Sequence, residues 1–253
     1  MIIYFSATGN CRHTAEALAQ KTEDEVKSIL DFMNGGEEAD FRGEKRLGLI
    51  SPTYSWRLPS IVRDFIQNTE IKVSENTYVY FVSTYGTTPG ASVHEMRELL
   101  KENNIEIDSV YSIRMPDTWT PIFNLSDAHK VEAINMSAES EIEAAAASIL
   151  AGDRRKHMKR QMPAFALSIA GRAYDQMRRT DNLYAESGCI SCGLCEKKCP
   201  VKAIEIKDGR PVWIKSQCTM CLGCLHRCPV FAIQYGRGRT KDHGQYINPH
   251  TKM

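Results

Sequence analysis

Two copies of one cysteine pattern constrain this chain more than any other feature in it. The first reads CISCGLCEKKCP from Cys189 to Pro200, and the second reads CTMCLGCLHRCP from Cys218 to Pro229. Both are C-x2-C-x2-C-x3-C-P, and the second repeats the first at an offset of 29 residues. The repeat outlasts the prolines, because Val201, Ala203 and Ile204 return as Val230, Ala232 and Ile233. Eight of the nine cysteines fall inside it, so cysteine usage reports metal ligation and not an oxidising compartment. Thiolate is a soft anionic donor that suits iron–sulfide. Three cysteines three residues apart let one tight loop wrap a 4Fe–4S cubane corner by corner. Paired C-x2-C also serves zinc, but zinc sites use four ligands each without this triple spacing and trailing Cys-Pro.

The segment of about 55 residues around the two copies resembles the bacterial two-cluster ferredoxins, in which the fourth cysteine of each run ligates the other cluster. That resemblance implies one 4Fe–4S cluster on Cys189, Cys192, Cys195 and Cys228, and a second on Cys218, Cys221, Cys224 and Cys199. Between the copies, Ile204-Glu205-Ile206 and Val212-Trp213-Ile214 flank Asp208-Gly209, a hairpin signal. Ile204 and Ile233 are expected to shield the clusters.

The amino-terminal part follows another rule. Residues 2–5 read as a buried strand, the stretch Ser6-Ala7-Thr8-Gly9-Asn10-Cys11 as a loop, and Arg12 to Lys21 as a helix. A strand that feeds a hydroxyl- and glycine-bearing loop into a helix N-terminus is an anion site, because free N–H groups and the helix dipole point at it. No lysine follows as in a Walker loop, so a nucleoside triphosphate is disfavoured. Further strands are expected at Val26–Leu30, Arg46–Ser51, Thr77–Ser83 and Asp108–Met115, with helices at Leu58–Asn68, Ser92–Asn103 and Ala128–Leu150. Leu47-Gly48-Leu49-Ile50 and Tyr78-Val79-Tyr80-Phe81-Val82 are continuous apolar runs, as strands buried on both faces require. Strand–helix alternation predicts a doubly wound α/β sheet with ligands at the carboxyl ends of its strands. Two further loops fall there. One carries Pro52, Thr53, Tyr54, Ser55 and Trp56; the other carries Thr84, Tyr85 and Gly86. Aromatics on two such loops can flank a planar ring.

Residues 1 to about 150 thus resemble the flavodoxin family: SATGNC looks like its FMN phosphate loop, and PTYSW and TYGTTPG like its two isoalloxazine loops. The resemblance implies FMN bound by Ser6, Ala7, Thr8, Gly9, Asn10 and Cys11 and by the named residues of the other two loops. Cys11 stands where the family usually has a threonine hydroxyl, and its expected role is a small buried residue. The expected architecture is a flavodoxin-like, doubly wound five-stranded parallel sheet at 1–152. A linker with an interdomain helix at 153–180 follows, packing Phe165, Leu167, Ile169 and Tyr174. A small α+β bacterial-ferredoxin domain at 181–240 and a tail at 241–253 complete it. The whole is similar to flavodoxin–ferredoxin fusion proteins, whose role is electron transfer.

Residues 1–125 carry 12 Lys/Arg against 18 Asp/Glu, and the remainder 20 against 13. The basic helix at Arg172–Arg179 and the basic tail are therefore expected to dock the cluster half on the acidic half. The basic run from Arg154 to Arg160 reads as a solvated helix end or domain junction, and no nucleic-acid partner is expected. The chain opens on an apolar strand with no basic n-region and holds no run of 18 apolar residues, so neither a leader nor a membrane span is expected, and the cytoplasm is the expected compartment. No side chain stands out as acid, base or nucleophile; His13 and His94 are expected on helix surfaces. The leading function is an electron carrier joining redox partner proteins through two 4Fe–4S clusters and FMN. The alternatives are an iron–sulfur flavoenzyme with a closed pocket beside the flavin, roofed by Trp119, and a redox sensor with a decayed flavin site.

Overall fold

The computed structural model describes residues 1–154, 156–157 and 166–251. Six parallel strands form one sheet in the order β2-β1-β3-β4-β5-β6: β1 (Ile2–Tyr4), β2 (Val26–Ser28), β3 (Arg46–Pro52), β4 (Tyr78–Tyr85), β5 (Ser109–Arg114) and β6 (Lys156–His157). The first five are the doubly wound, flavodoxin-like sheet. The sixth is a two-residue addition beside β5 that the sequence did not announce, paired through Val110 and Tyr111. The helices among them are α1 (Asn10–Thr22), α2 (Ile29–Gly35), α3 (Ser60–Asn68), α4 (Ser92–Glu102) and α5 (Ala128–Leu150).

Alternation along the central strands explains why both faces are buried. Ile3, Phe5, Leu49 and Phe81 join Phe65 of α3 and Val93 of α4 on one face. Ile2, Ile50, Tyr80 and Val82 join Leu18 of α1 and Ile142 of α5 on the other. Gly48 lies under the Tyr80 ring, where any Cβ would collide with it. The expected strand Val26–Leu30 stops at Ser28. There the Ser28 hydroxyl accepts from Leu30 N at 3.2 Å, and the Asp31 carboxylate accepts from Ser28 N at 2.9 Å. This capping box starts α2, which the apolar Ile29-Leu30 pair disguised as strand.

The C-terminal part is built from α6 (Ala166–Met177), β7 (Leu183–Ala185), α7 (Leu194–Lys197), β8 (Ile204–Lys207), β9 (Arg210–Trp213), α8 (Gly223–His226), β10 (Ile233–Tyr235) and α9 (Arg239–His243). β8 and β9 form the expected hairpin, and β10 pairs antiparallel with β7. The sequence repeat is also a backbone repeat. Ser191, Gly193 and Lys202 are left-handed, and so are Met220, Leu222 and Phe231, each 29 residues on. α7 and α8 start at the same offset. Phe165 and most of the basic run from Arg154 to Arg160 lie outside the described residues. Among the described residues, no helix is long and apolar enough to cross a membrane.

Candidate functional site

The three expected loops meet at the carboxyl ends of β1, β3 and β4. Gly9 caps α1 in the left-handed region at φ 97° and donates its N–H to Ser6 Oγ at 3.1 Å. Cys11 is buried, its thiol 3.1 Å from Thr84 Oγ1, and burial pushes its pKa up to about 12. It is a neutral packing residue. In the second loop, Tyr54 and Arg57 exchange backbone hydrogen bonds of 2.8 and 3.0 Å around Ser55 and Trp56, both at positive φ. The Trp56 carbonyl accepts from Ala91 N at 2.8 Å, and Gly90 sits so close that a Cβ would strike the Trp56 backbone. Thr53 Oγ1 is 2.8 Å from Ser83 Oγ, tying this loop to β4.

Together they line a cavity of about 370 Å³, within the usual range of cofactor pockets. Every flavin-loop residue named from the sequence lines it except Gly9. Trp56 is 42% exposed, whereas Tyr54 packs against the core. Trp119, named from the sequence as a roof, stands in the opposite wall, but sequence reasoning missed the rest of it: Met115 to Thr118 with Ile122, Phe123, Tyr174, Met177, Met220, Cys221 and Leu222. Asp117 lies in it, accepting from Trp119 N at 3.1 Å, and burial raises its carboxyl pKa. These residues reach the cavity only through long-range packing. A polar loop at a helix N-terminus beside an apolar, aromatic-walled slot is a donor set that fits a phosphate joined to a flat ring.

The cysteines gather into two further cavities. Cys199, Cys218, Cys221 and Cys224 line one, together with Ile204. Cys189, Cys192, Cys195 and Cys228 line the other, together with Ile233. In the first, burial pushes the Cys218 thiol up to about 12 and raises Cys221 and Cys224 as well; for Cys224, repulsion from Cys221, Cys218 and Cys199 adds to it. Cys218, Cys221 and Cys224 therefore resist ionising unless a metal pays that cost, and bound iron reverses the balance outright. Backbone N–H groups already point at the sulfurs: Ala203 N at 3.2 Å from Cys199, Ala232 N at 3.3 Å from Cys228, and Met220 N at 3.2 Å from Cys218. The donor set fits two four-sulfur clusters.

Residues 1–144, more than half of the chain, match the family model described as a flavodoxin domain. The chain belongs to the flavodoxin-domain family. Residues 188–233 match a second model, a 4Fe-4S dicluster domain. The two together imply a redox, electron-transfer role. No curated protein matches the chain. Among solved structures it is similar to a flavodoxin from the domain Archaea, at 15% identity over 56% of this chain and 96% of that one, TM-score 0.35. It is also similar to two-electron reduced Megasphaera elsdenii flavodoxin, at 18% identity over 58% and 97%, TM-score 0.37. The rubredoxin oxygen:oxidoreductase from Desulfovibrio gigas matches at 12% identity over 56% of this chain, TM-score 0.32, and the match spans only 35% of that longer chain.

The flavodoxin and dicluster domains meet through hydrogen bonds and close backbone contact. Tyr174 of α6 is 1% exposed; its hydroxyl accepts from Ser60 N at 3.1 Å and donates to Thr219 O at 2.8 Å. A Cβ on Gly223 would lie 3.5 Å from Cys221 Sγ and 3.6 Å from the Ala7 carbonyl, so α8 rests on the phosphate loop. His226 is buried, and burial lowers its pKa to about 4. Its neutral ring donates from Nε2 to Thr118 O at 2.9 Å and accepts at Nδ1 from Tyr246 N at 3.2 Å.

The segment after α9 straps the two domains. Gln245 donates to Leu225 O and Cys228 O at 2.7 and 2.8 Å. Tyr246 donates to the Asn10 side chain at 2.9 Å, and Asn248 N donates to Thr8 O at 2.8 Å. The expectation that opposite charge docks the two halves is not what these residues do. Arg178, Arg179 and Lys241 pair with Asp175, Asp181 and Glu186, all outside residues 1–144. Short polar side chains and backbone groups make the hydrogen bonds of the junction, and the Arg63 guanidinium of α3 lies over the Tyr174 ring, 5.8 Å from its centroid.

Proposed function

We propose that this chain is an electron-transfer protein that binds FMN in the 370 Å³ cavity and one 4Fe–4S cluster in each cysteine cavity. One observation carries the reading: Met220, Cys221 and Leu222 line both the flavin cavity and the cavity of Cys199, Cys218, Cys221 and Cys224. FMN, when bound, exchanges one or two electrons, and a 4Fe–4S cluster exchanges one, so the pair converts between two-electron and one-electron partners. The chain's own residues supply position and insulation. Ser6 to Asn10 present the phosphate site at the start of α1. Tyr54, Trp56, Tyr85 and Trp119 wall the ring slot. Ile204 and Ile233, both buried, cover the two cysteine sets.

The set with Cys189, Cys192, Cys195 and Cys228 shares no lining residue with the flavin cavity, and its Cys192 is exposed. We therefore assign it as the face toward redox partner proteins, and the Cys221 set as the inner station. The unit bounds that suit this reading are a flavodoxin part at 1–152 and a cluster part at 181–240, with α6 as the pin between them and the segment from 241 as the strap. Cysteines kept for ligation suit a reducing compartment such as the cytoplasm. Cofactor content tests the reading. Anaerobically purified protein should carry iron and sulfide near eight per chain and one FMN. Stoichiometric zinc without sulfide would refute the cluster assignment, and protein that stays free of flavin after reconstitution would refute the FMN assignment.

The aromatic wall favours one second reading. Trp119, Ile122 and Phe123 line the same cavity. Space left there beside a bound flavin would admit a small organic oxidant, making the chain an iron–sulfur flavoenzyme. Catalytic turnover of such an oxidant by reduced protein, lost in Trp119→Ala with FMN retained, would support that reading over a carrier.

A further inference from the structure

Two histidines and a glutamate that electron transfer leaves unused meet beside the phosphate loop. His13 lies in the first turn of α1, Glu139 in the middle of α5, and His250 near the end of the strap. One nitrogen of each imidazole and one Glu139 oxygen all lie within 4.8 Å of one another. His13 Nε2 is 2.6 Å from Glu139 Oε1. The two imidazole rings stack with centroids 4.7 Å apart and planes 26° from parallel. His13, expected on a bare helix surface, keeps only 12% of its side chain exposed.

The three groups come from three separate elements, and backbone contacts fix the strap against the start of α1. α1 begins at Gly9, and Gly9 packs against Asn248 and Thr251 of the strap. His250 N donates to Asn248 Oδ1 at 3.0 Å, and Asn248 N donates to Thr8 O at 2.8 Å. His250 is thus placed over α1 by its own backbone, without help from its ring.

The donor chemistry then selects the ligand. Two imidazole nitrogens and one carboxylate oxygen are a borderline set. Magnesium and calcium take oxygen ligands almost exclusively, and soft ions take thiolates. Zinc takes His₂Glu sets, at Zn–N distances near 2.0–2.1 Å. The rings lie face to face in this structure, so His13 and His250 must turn their lone pairs toward a common point to take the ion. We propose that His13, Glu139 and His250 form a divalent-metal site of zinc class, with water in the fourth position. It is distinct from both cysteine cavities, and it does not depend on the flavin or the clusters being as proposed. A bound ion there joins the strap to α1 and α5 directly across the phosphate loop.

The test is equilibrium dialysis of the full, cluster-loaded chain against chelator-buffered zinc under anaerobic conditions, with zinc and iron counted by mass spectrometry. Iron that stays constant shows that zinc has not entered the cysteine sites. The expected result is one zinc per chain in the wild type. His250→Ala and Glu139→Gln should each weaken it by more than the 10–100-fold that losing even an outer-shell partner costs. His250 is exposed and Glu139 partly so, and both variants should keep their iron and their helix content. Equal zinc uptake by the wild type and both variants would overturn the site. So would no zinc uptake by the wild type, which would leave a His13–Glu139 ion pair with a stacked ring.

Discussion

Removing the Tyr174 hydroxyl should loosen the contact between the two redox units without disturbing either one. Tyr174→Phe keeps the ring that packs under α3 and deletes the atom bonded to Ser60 N and Thr219 O. Ser60 is the first residue of α3, so its N–H has no partner within the helix. Ser60 is 3% exposed, and water cannot easily replace the lost acceptor. A buried donor left unpaired costs about 1–3 kcal/mol, and the second bond adds about 1, so docking should weaken by roughly 2–4 kcal/mol. At about 1.4 kcal/mol per decade, that raises the open population about 30-fold at the low end. Hydrogen exchange reads this directly, through loss of protection in peptides covering 58–61 and 217–222 while β3 and β4 stay protected. A change below about threefold at both peptides would refute the reasoning, since it would mean that the hydroxyl is solvated or that apolar contact alone holds the units together.

Acid should act on the same junction through His226. Its folded pKa lies near 4, against 6.5 for an ordinary histidine, so between those values the unfolded chain binds more protons. Stability is therefore complete above the ordinary value and falls as pH drops, by about 1.4 kcal/mol between about pH 7.5 and about pH 5.5. His226→Gln should be less stable at neutral pH but lack this component, so equal pH slopes in variant and wild type would contradict the assignment. Thr8→Val should weaken FMN binding about ten- to hundredfold, the cost of one hydroxyl donor to a phosphate dianion, with iron content unchanged. Unaltered affinity would make Thr8 a structural residue only.

The sheet was legible because its strands carry their own evidence. β3 and β4 carry continuous apolar stretches at Leu47–Ile50 and Tyr78–Val82, and α5 runs over the expected residues, Ala128 to Leu150. α2 was hidden because the apolar pair Ile29-Leu30 directly follows β2, and only the Ser28–Asp31 pair marks the change. The cysteine repeat announced two equivalent loops. Its left-handed backbone at Ser191, Lys202, Met220, Leu222 and Phe231 was not legible, since none of these is glycine and the loops around the cysteines impose it. Apart from Trp119, the far wall of the large cavity was beyond local reading, and so was the strap: Tyr174 meets Ser60 across 114 residues and Tyr246 meets Asn10 across 236. Net charge misled about the junction because it counts side chains such as Arg178, Arg179 and Lys241 that pair within their own unit, while the hydrogen bonds across the contact run between neutral groups.

The central claim is that electrons pass between partner proteins and the flavin through the two cysteine sites in series. It is tested most directly by stopped-flow reduction of the flavin from an external donor protein that reacts only with iron–sulfur clusters, in wild type, Cys192→Ala and Cys221→Ala. The first variant damages the outer site and the second the inner site; neither residue belongs to the phosphate loop, and because Cys221 also lines the flavin cavity, FMN content is measured in that variant before its rate is read. The account predicts that both variants retain FMN and that flavin reduction slows in each. Wild-type rates in both, with FMN bound and the altered cluster shown to be lost, would mean that the flavin has its own entry route and would contradict the series path.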